Sequence, residues 1–204
     1  LQACSQIGEP IDFCVPSGAF GNLFAGYLAK SMGVPIRKLI CANNSNQTLH
    51  RVLSTGEFVK KDLIRTVSSA IDIVVPYNFW RFLYFVSGCD PERIVSWMAQ
   101  FETTGRISLD KETMQHISAG FDSCTVSDSV TLATIRQTWN REGYLLDPHG
   151  AVALAGALDK TELSENSVKT ICLATAHPAK FPDIIRTALG SGSSSELPDQ
   201  AVHN

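Results

Sequence analysis

The chain has 204 residues, is 44% hydrophobic and carries a formal net charge of -3. That is enough apolar chain for one core, or one core with an appendage, and the small, mixed charge excludes a nucleic-acid surface. No apolar run reaches the ~18 residues that a membrane span needs, and Leu1 to Pro10 carries no basic segment of a signal peptide.

The first clear unit is Ile11 to Pro16, read as a buried strand, followed by the small-residue turn Ser17-Gly18-Ala19-Phe20-Gly21-Asn22. Leu23 to Met32 reads as a helix stopped by Gly33, and Ile36 to Cys41 as a second strand. Strand, glycine-bearing loop, helix and strand make a βαβ unit, which implies a parallel sheet in an α/β fold. Beyond the polar loop Asn43 to Thr48, the reading gives a helical segment from Leu49 closed by Gly56, and a short strand over Ala70 to Val75 ended by Pro76. Helices follow at Asn78 to Val86, at Pro91 to Phe101 with Asp90 as cap, and at Asp110 to Ile117. A short strand at Thr125-Val126 precedes a helix over Asp128 to Glu142. Asp147-Pro148-His149-Gly150 opens a helix through Leu158, Val168 to Ala174 reads as a buried strand, and Phe181 to Leu189 as a helix. The Gly/Ser-rich tail 190–204 reads as disordered.

Six cysteines occupy positions 4, 14, 41, 89, 124 and 172 without a Cys-x-x-Cys pair, so no zinc site is expected. Cys14, Cys41 and Cys172 lie in apolar runs where a thiol behaves as a small hydrophobe, which fits a reducing compartment, although the even count leaves disulfides open.

Three segments could carry chemistry. In Pro16 to Asn22, two glycines allow close backbone approach to an anion, and the following helix directs its N-H groups and positive dipole end at the loop. An ordinary strand-to-helix turn explains the same residues equally well, and neither a dinucleotide nor a P-loop pattern is matched. Asp147-Pro148-His149-Gly150 is explained by simple capping, or by a histidine presented at a helix start. Thr175 to Phe181 places a hydroxyl and Lys180 after a strand, where parallel sheets hold ligands, or is a proline-bearing loop with a solvated lysine.

In this order, the three segments resemble the threonine synthase family of pyridoxal 5'-phosphate (PLP) enzymes. Pro16-Ser17-Gly18-Ala19-Phe20-Gly21-Asn22 is similar to its phosphate loop P-S-G-N-F-G-[ND], with Ala19 where asparagine is usual. Leu145 to Val152 resembles L-D-P-H-[TG]-A-V, and Thr175-Ala176-His177-Pro178-Ala179-Lys180-Phe181 matches T-A-H-P-A-K-F. Asn43 to Arg51 resembles a further family segment, N-x-N-[DN]-x-L-x-R. Ser69 to Ile73 with Asn78, Phe79 and Arg81 resembles another, with Trp80 in place of a glutamate.

The resemblance implies a partial fold-type-II PLP-enzyme large domain over residues 1–189, a mostly parallel sheet flanked by helices. Gly18, Ala19, Phe20, Gly21 and Asn22 would hold the PLP phosphate, Thr175 would meet the pyridine nitrogen, and His149 and Lys180 would lie near a substrate's anionic groups. No metal is expected. The implied activity is that of a phospho-lyase on O-phosphorylated amino acids such as O-phosphohomoserine or phosphothreonine, giving a 2-oxo acid, ammonia and phosphate in the cytoplasm. The lysine that holds the cofactor covalently lies upstream of the phosphate loop in this family. The lysines here, at 30, 38, 60, 61, 111, 160, 169 and 180, all follow that loop, and the first residue is leucine. A processed or truncated form, inactive alone, is therefore expected. The alternative is a non-catalytic product that binds a protein partner or itself through exposed apolar faces, or that is secreted as a signal.

Overall fold

The computed structural model describes residues 8–160, 168–190 and 197–201. Strand β1 (Ile11–Pro16) leads through a tight loop into helix α1 (Gly21–Ser31) and strand β2 (Ile36–Asn43). Helix α2 (Thr48–Thr55) and strand β3 (Glu57–Val59) follow, then a 3-10 turn at Ser69–Ile71. Helices α3 (Tyr77–Val86) and α4 (Pro91–Thr104), strand β4 (Arg106–Ser108), helix α5 (Lys111–Gly120) and strand β5 (Phe121–Thr125) come next. Helices α6 (Asp128–Glu142) and α7 (Pro148–Lys160), strand β6 (Thr170–Cys172) and helix α8 (Pro182–Leu189) complete the set.

β5, β2, β1 and β6 form one parallel sheet in that order, while β3 and β4 pair antiparallel beside it. Alternation along the central strands feeds two cores. Val15, Leu39 and Cys41 face α1, α2 and α3, joining an aromatic cluster of Phe20, Phe58, Phe79, Phe82 and Phe121. Cys14, Ile40, Ala42 and Cys124 face α7. A third cluster joins α6, α7 and α8 through Ile135, Leu146, Ala151 and Ile185.

The α7 face is built from small residues because the helix lies almost on the sheet. A Cβ at Gly156 would come within 2.6 Å of Cys124 Sγ and 2.9 Å of Ala42 Cβ. Asp12 ties the amino ends of β1 and β2. Its buried carboxylate accepts the Arg37 guanidinium and, at 3.0 Å, the Lys38 amide.

Several sequence expectations change. The parallel α/β sheet is present, and Asp90 caps α4 by accepting the Glu92 and Arg93 amides, with Pro91 in the first turn. Residues 70–75 form no strand. A 3-10 turn and coil replace it, because Asp72 is drawn into hydrogen bonds with Asn44, Asn46 and Thr66 instead of a ladder. The last strand is shorter than 168–174 and only half-buried, since β6 is an edge with β1 as its one neighbour. The strand placed at 125–126 begins earlier, at Phe121. The β3–β4 pair is absent from the sequence reading. The tail expected to be disordered is partly ordered. Asp199–Ala201 forms a 3-10 turn, and Leu197 and Ala201 pack with the α6–α8 cluster because they bring apolar surface to it. Residues 191–196 and 202–204 lie outside the described residues.

Gly156→Ala is expected to lower the unfolding free energy by up to about 2 kcal/mol in urea titration, because overpacking costs about 1–3 kcal/mol against about 1 kcal/mol gained in helix propensity.

Candidate functional site

A cavity of about 310 Å³ opens at the carboxyl end of β1, lined by Pro16 to Asn22, Ala70, Ile71, Tyr77, Asn78, His149, Thr175 and Ala176. Parallel sheets hold ligands at this end of their strands. The loop's shape is set from beneath. Phe20 adopts a left-handed backbone (φ 69°), a conformation costly for a residue with a side chain. Its ring is fully buried, packed at 5.2 Å from Phe79 and 5.0 Å from Phe82, centroid to centroid, and this burial offsets the backbone cost. Helix α1 therefore starts at Gly21 with no side-chain cap and no acidic residue in its first turn. Its first amides and dipole end are left for a ligand at the loop.

Neighbouring segments hold the loop from the sides. The Ser17 amide donates to Ala42 O at 3.0 Å, and Asn43 Nδ2 donates to Ser17 O at 2.6 Å. The Asn78 amide donates to Ala19 O at 3.2 Å. Gly18 lies directly on the Ile71 backbone, where an added Cβ would meet Ile71 O at 2.8 Å and Cα at 2.9 Å. Only glycine allows this approach.

The wall opposite is fixed by His149. Its ring is 1% exposed, and Nε2 accepts the Ala70 amide at 3.1 Å. A backbone amide can only donate, so Nε2 carries no proton and the ring proton lies on Nδ1, 2.8 Å from Asp147 Oδ1. Asp147 also accepts the His149 and Gly150 amides, at 2.9 and 3.2 Å, as a helix cap. Burial pushes the Asp147 carboxyl up, but its hydrogen bonds from His149 and Gly150 prevail and hold it below the ordinary value. Capping and site construction, the two readings of Asp147 to Gly150, are thus one structure.

The expected site residues divide. Gly18, Ala19, Phe20, Gly21, Asn22, His149 and Thr175 all line the cavity. His149 does so with both ring nitrogens already engaged within the chain. Lys180 is exposed on the 3-10 turn Pro178–Lys180 and is not part of the lining, because buried Pro178 turns the chain away after Ala176. Among the described residues, no acidic or basic side chain other than His149 lines the cavity.

Sequence reasoning overlooked the support behind the wall. Asn44 Nδ2 donates to Asp72 Oδ1 at 2.7 Å and to Thr66 Oγ1 at 2.9 Å, while Asn46 Nδ2 reaches Ile64 O at 2.9 Å. Asn44, Asn46 and Ser68 are buried. The signal was the pairing of two spaced asparagines with a distant aspartate, which no local pattern reveals. Trp80, at the position where the resemblance leads one to expect glutamate, packs on Phe58 and Phe101 at 5.4 and 5.6 Å. Its role here is apolar packing. Among the described residues, no cluster of three or more potential metal ligands occurs and no helix is long and apolar enough to cross a membrane.

His149→Ala leaves the Ala70 amide and the Asp147 carboxylate without their partner, and is expected to cost about 2–4 kcal/mol of stability in chemical denaturation. The Asp147 contribution is fully present above its ordinary value of 3.8 and is lost as pH falls through the lower folded value. In Asp147→Asn that acid segment of the stability curve should vanish.

The model for the family described as threonine synthase, C-terminal, matches residues 150–203. Threonine synthase of Pseudomonas aeruginosa is 37% identical over 97% of this chain and 42% of its own length. Threonine synthase-like 2 of Homo sapiens is 38% identical over 94% of the chain and 39% of its own length. The crystal structure of PLP-bound threonine synthase from Brucella melitensis superposes with a TM-score of 0.86 at 35% identity, covering 95% of this chain and 41% of that one. The chain thus spans about two fifths of the length of the relatives it matches. Its motifs and fold agree with these matches, and the chain belongs to the threonine synthase family, aligning with the C-terminal portion of its members.

Proposed function

We propose that the cavity receives the phosphate end of PLP, and that the chain supplies this part of the site in a phospho-lyase acting on O-phosphorylated amino acids. The observation that carries the reading is the acid-free, uncapped start of α1 behind a glycine loop pressed against the Ile71 backbone. Such a cradle offers amide hydrogens and a positive dipole end, which suit a phosphate without a charged side chain. A volume of about 310 Å³ lies in the range of small-ligand sites. The related threonine synthase from Brucella melitensis, whose crystal structure is PLP-bound, supports the same reading.

In this reading the amides of residues 18–22 bind the phosphate and Thr175 offers its hydroxyl to the pyridine nitrogen. A neutral hydroxyl there leaves the ring less electron-withdrawing than a carboxylate partner would. When bound, PLP supplies an electron sink for charge developing at the substrate's α-carbon. His149 acts by holding the turn at Ser69–Ile71 against the loop, so that the cradle is formed before a ligand arrives. Lys180, exposed beyond Thr175, offers a cation to the phosphate or carboxylate of an incoming substrate. Loss of that phosphate from O-phosphohomoserine, followed by hydrolysis, would give a 2-oxo acid, ammonia and phosphate.

The test is fluorescence titration of the purified chain with PLP and with pyridoxal. PLP should bind at least about tenfold more tightly, a difference of about 1.4 kcal/mol. Equal binding of the two would show that the loop does not act as a phosphate cradle. Gly18→Ala should abolish the preference, because its Cβ collides with the Ile71 backbone at 2.8–3.0 Å.

A further inference from the structure

Two thiols lie side by side directly behind the site. Cys14 of β1 and Cys172 of β6 are register partners in the parallel sheet, and the Leu173 amide donates to Cys14 O at 3.0 Å. Both side chains are on the α7 face, Cys14 in the core and Cys172 packed against it. Neighbouring strands lie about 4.8 Å apart, within the Cα separation of about 4.4–6.8 Å that a disulfide spans. The two thiols are close enough to perturb each other's titration. Cys172 also lies 3.7 Å from Ala153 O.

We propose that Cys14 and Cys172 form an oxidisable dithiol, a modification site that closes to an intrachain disulfide on reaction with a hydroperoxide. The chemistry of the pair is asymmetric in a useful sense. Cys14 is fully buried, whereas Cys172 is partly exposed at the sheet edge, so the oxidant meets Cys172 first. Its interaction with Cys14 holds the Cys172 thiol below its ordinary range, against the effect of burial. The same interaction, followed by burial, pushes Cys14 well up, which keeps it a thiol. Burial pushes Cys124 to about 12 and Cys41 well up, so neither competes as nucleophile. The Cys172 thiolate attacks the terminal peroxide oxygen and the O–O bond breaks, giving a sulfenic acid and an alkoxide (hydroxide from hydrogen peroxide), which takes up the proton that Cys172 released. Cys14 sulfur then attacks the sulfenic sulfur, the S–O bond breaks, and the Cys14 proton leaves with the oxygen as water. In sum, two thiols and one hydroperoxide give one disulfide, one water and one alcohol, or two waters from hydrogen peroxide.

Position gives the site its consequence. Cys14 precedes Ser17 by three residues, and Cys172 precedes Thr175 by three. The disulfide would therefore pin together the two strands that carry the opposite sides of the cavity, and stiffen the short edge strand β6.

The full chain, treated with a few equivalents of hydrogen peroxide, alkylated, digested and read by mass spectrometry, should show a Cys14–Cys172 cross-link two mass units lighter than the two thiols. Dithiothreitol should reverse it, and amide hydrogen exchange over 170–176 should slow in the oxidised form. Cys172→Ser should lose the cross-link and leave Cys14 reduced, while Cys172→Ala serves as a second variant with the same expectation. A Cys14–Cys124 link, a disulfide-bonded dimer through exposed Cys89 in its place, or sulfinic acid at Cys172 without a cross-link would overturn the proposal. None of these readouts depends on whether PLP binds.

Discussion

The Ala70 amide donates to His149 Nε2, and His149 Nδ1 in turn donates to the Asp147 carboxylate. This bridge connects the start of α7 to a turn 79 residues earlier in the chain, and the turn in turn rests on Gly18. Three segments that are remote in sequence thereby become one wall. The ring is buried, so neither nitrogen can exchange its partner for water at low cost. The geometry also fixes the tautomer, and with it the polarity of the whole bridge. A histidine used in this way is a structural joint, with the carboxylate setting its direction.

Behind the wall, polar groups are enclosed as carefully as apolar ones. Asp72 receives Asn44, Asn46 and Thr66 on its two oxygens, and Ser68 closes the set. A network of this kind contributes less to net stability than to uniqueness, because any alternative path of residues 64–72 would strand buried donors. It explains why an apolar run that reads as a strand, Ala70 to Val75, instead becomes a turn that carries Ala70 and Ile71 to the cavity.

The parallel βαβ core was legible because Ile11 to Cys41 carries every local signal in agreement: apolar strand, glycine loop, helix and second strand. Asp90-Pro91 and Asp147-Pro148 announced their helices through capping chemistry that acts over three or four residues. What stayed hidden was decided at long range. β3 and β4 are three residues each and lie 49 positions apart at the Glu57–Arg106 pair, so neither has a period to read. The short span of β6 follows from its edge position, which no local pattern records. At the site, residue identities were legible through resemblance, whereas the inward commitment of His149 and the outward position of Lys180 required coordinates.

Phe20 carries a broader implication. Its backbone shapes the loop that lines the cavity while its ring belongs to a core shared with Phe79, Phe82 and Phe121, drawn from α3 and β5. Cavity shape and core volume are therefore not independent traits in this chain. A change of ring size at Phe82 or Phe121 would be felt as a change in loop curvature at the start of α1, far from any atom a ligand touches. Selection for tighter or looser binding has a route through the hydrophobic interior, and drift in that interior is constrained by the geometry it imposes on the surface above it.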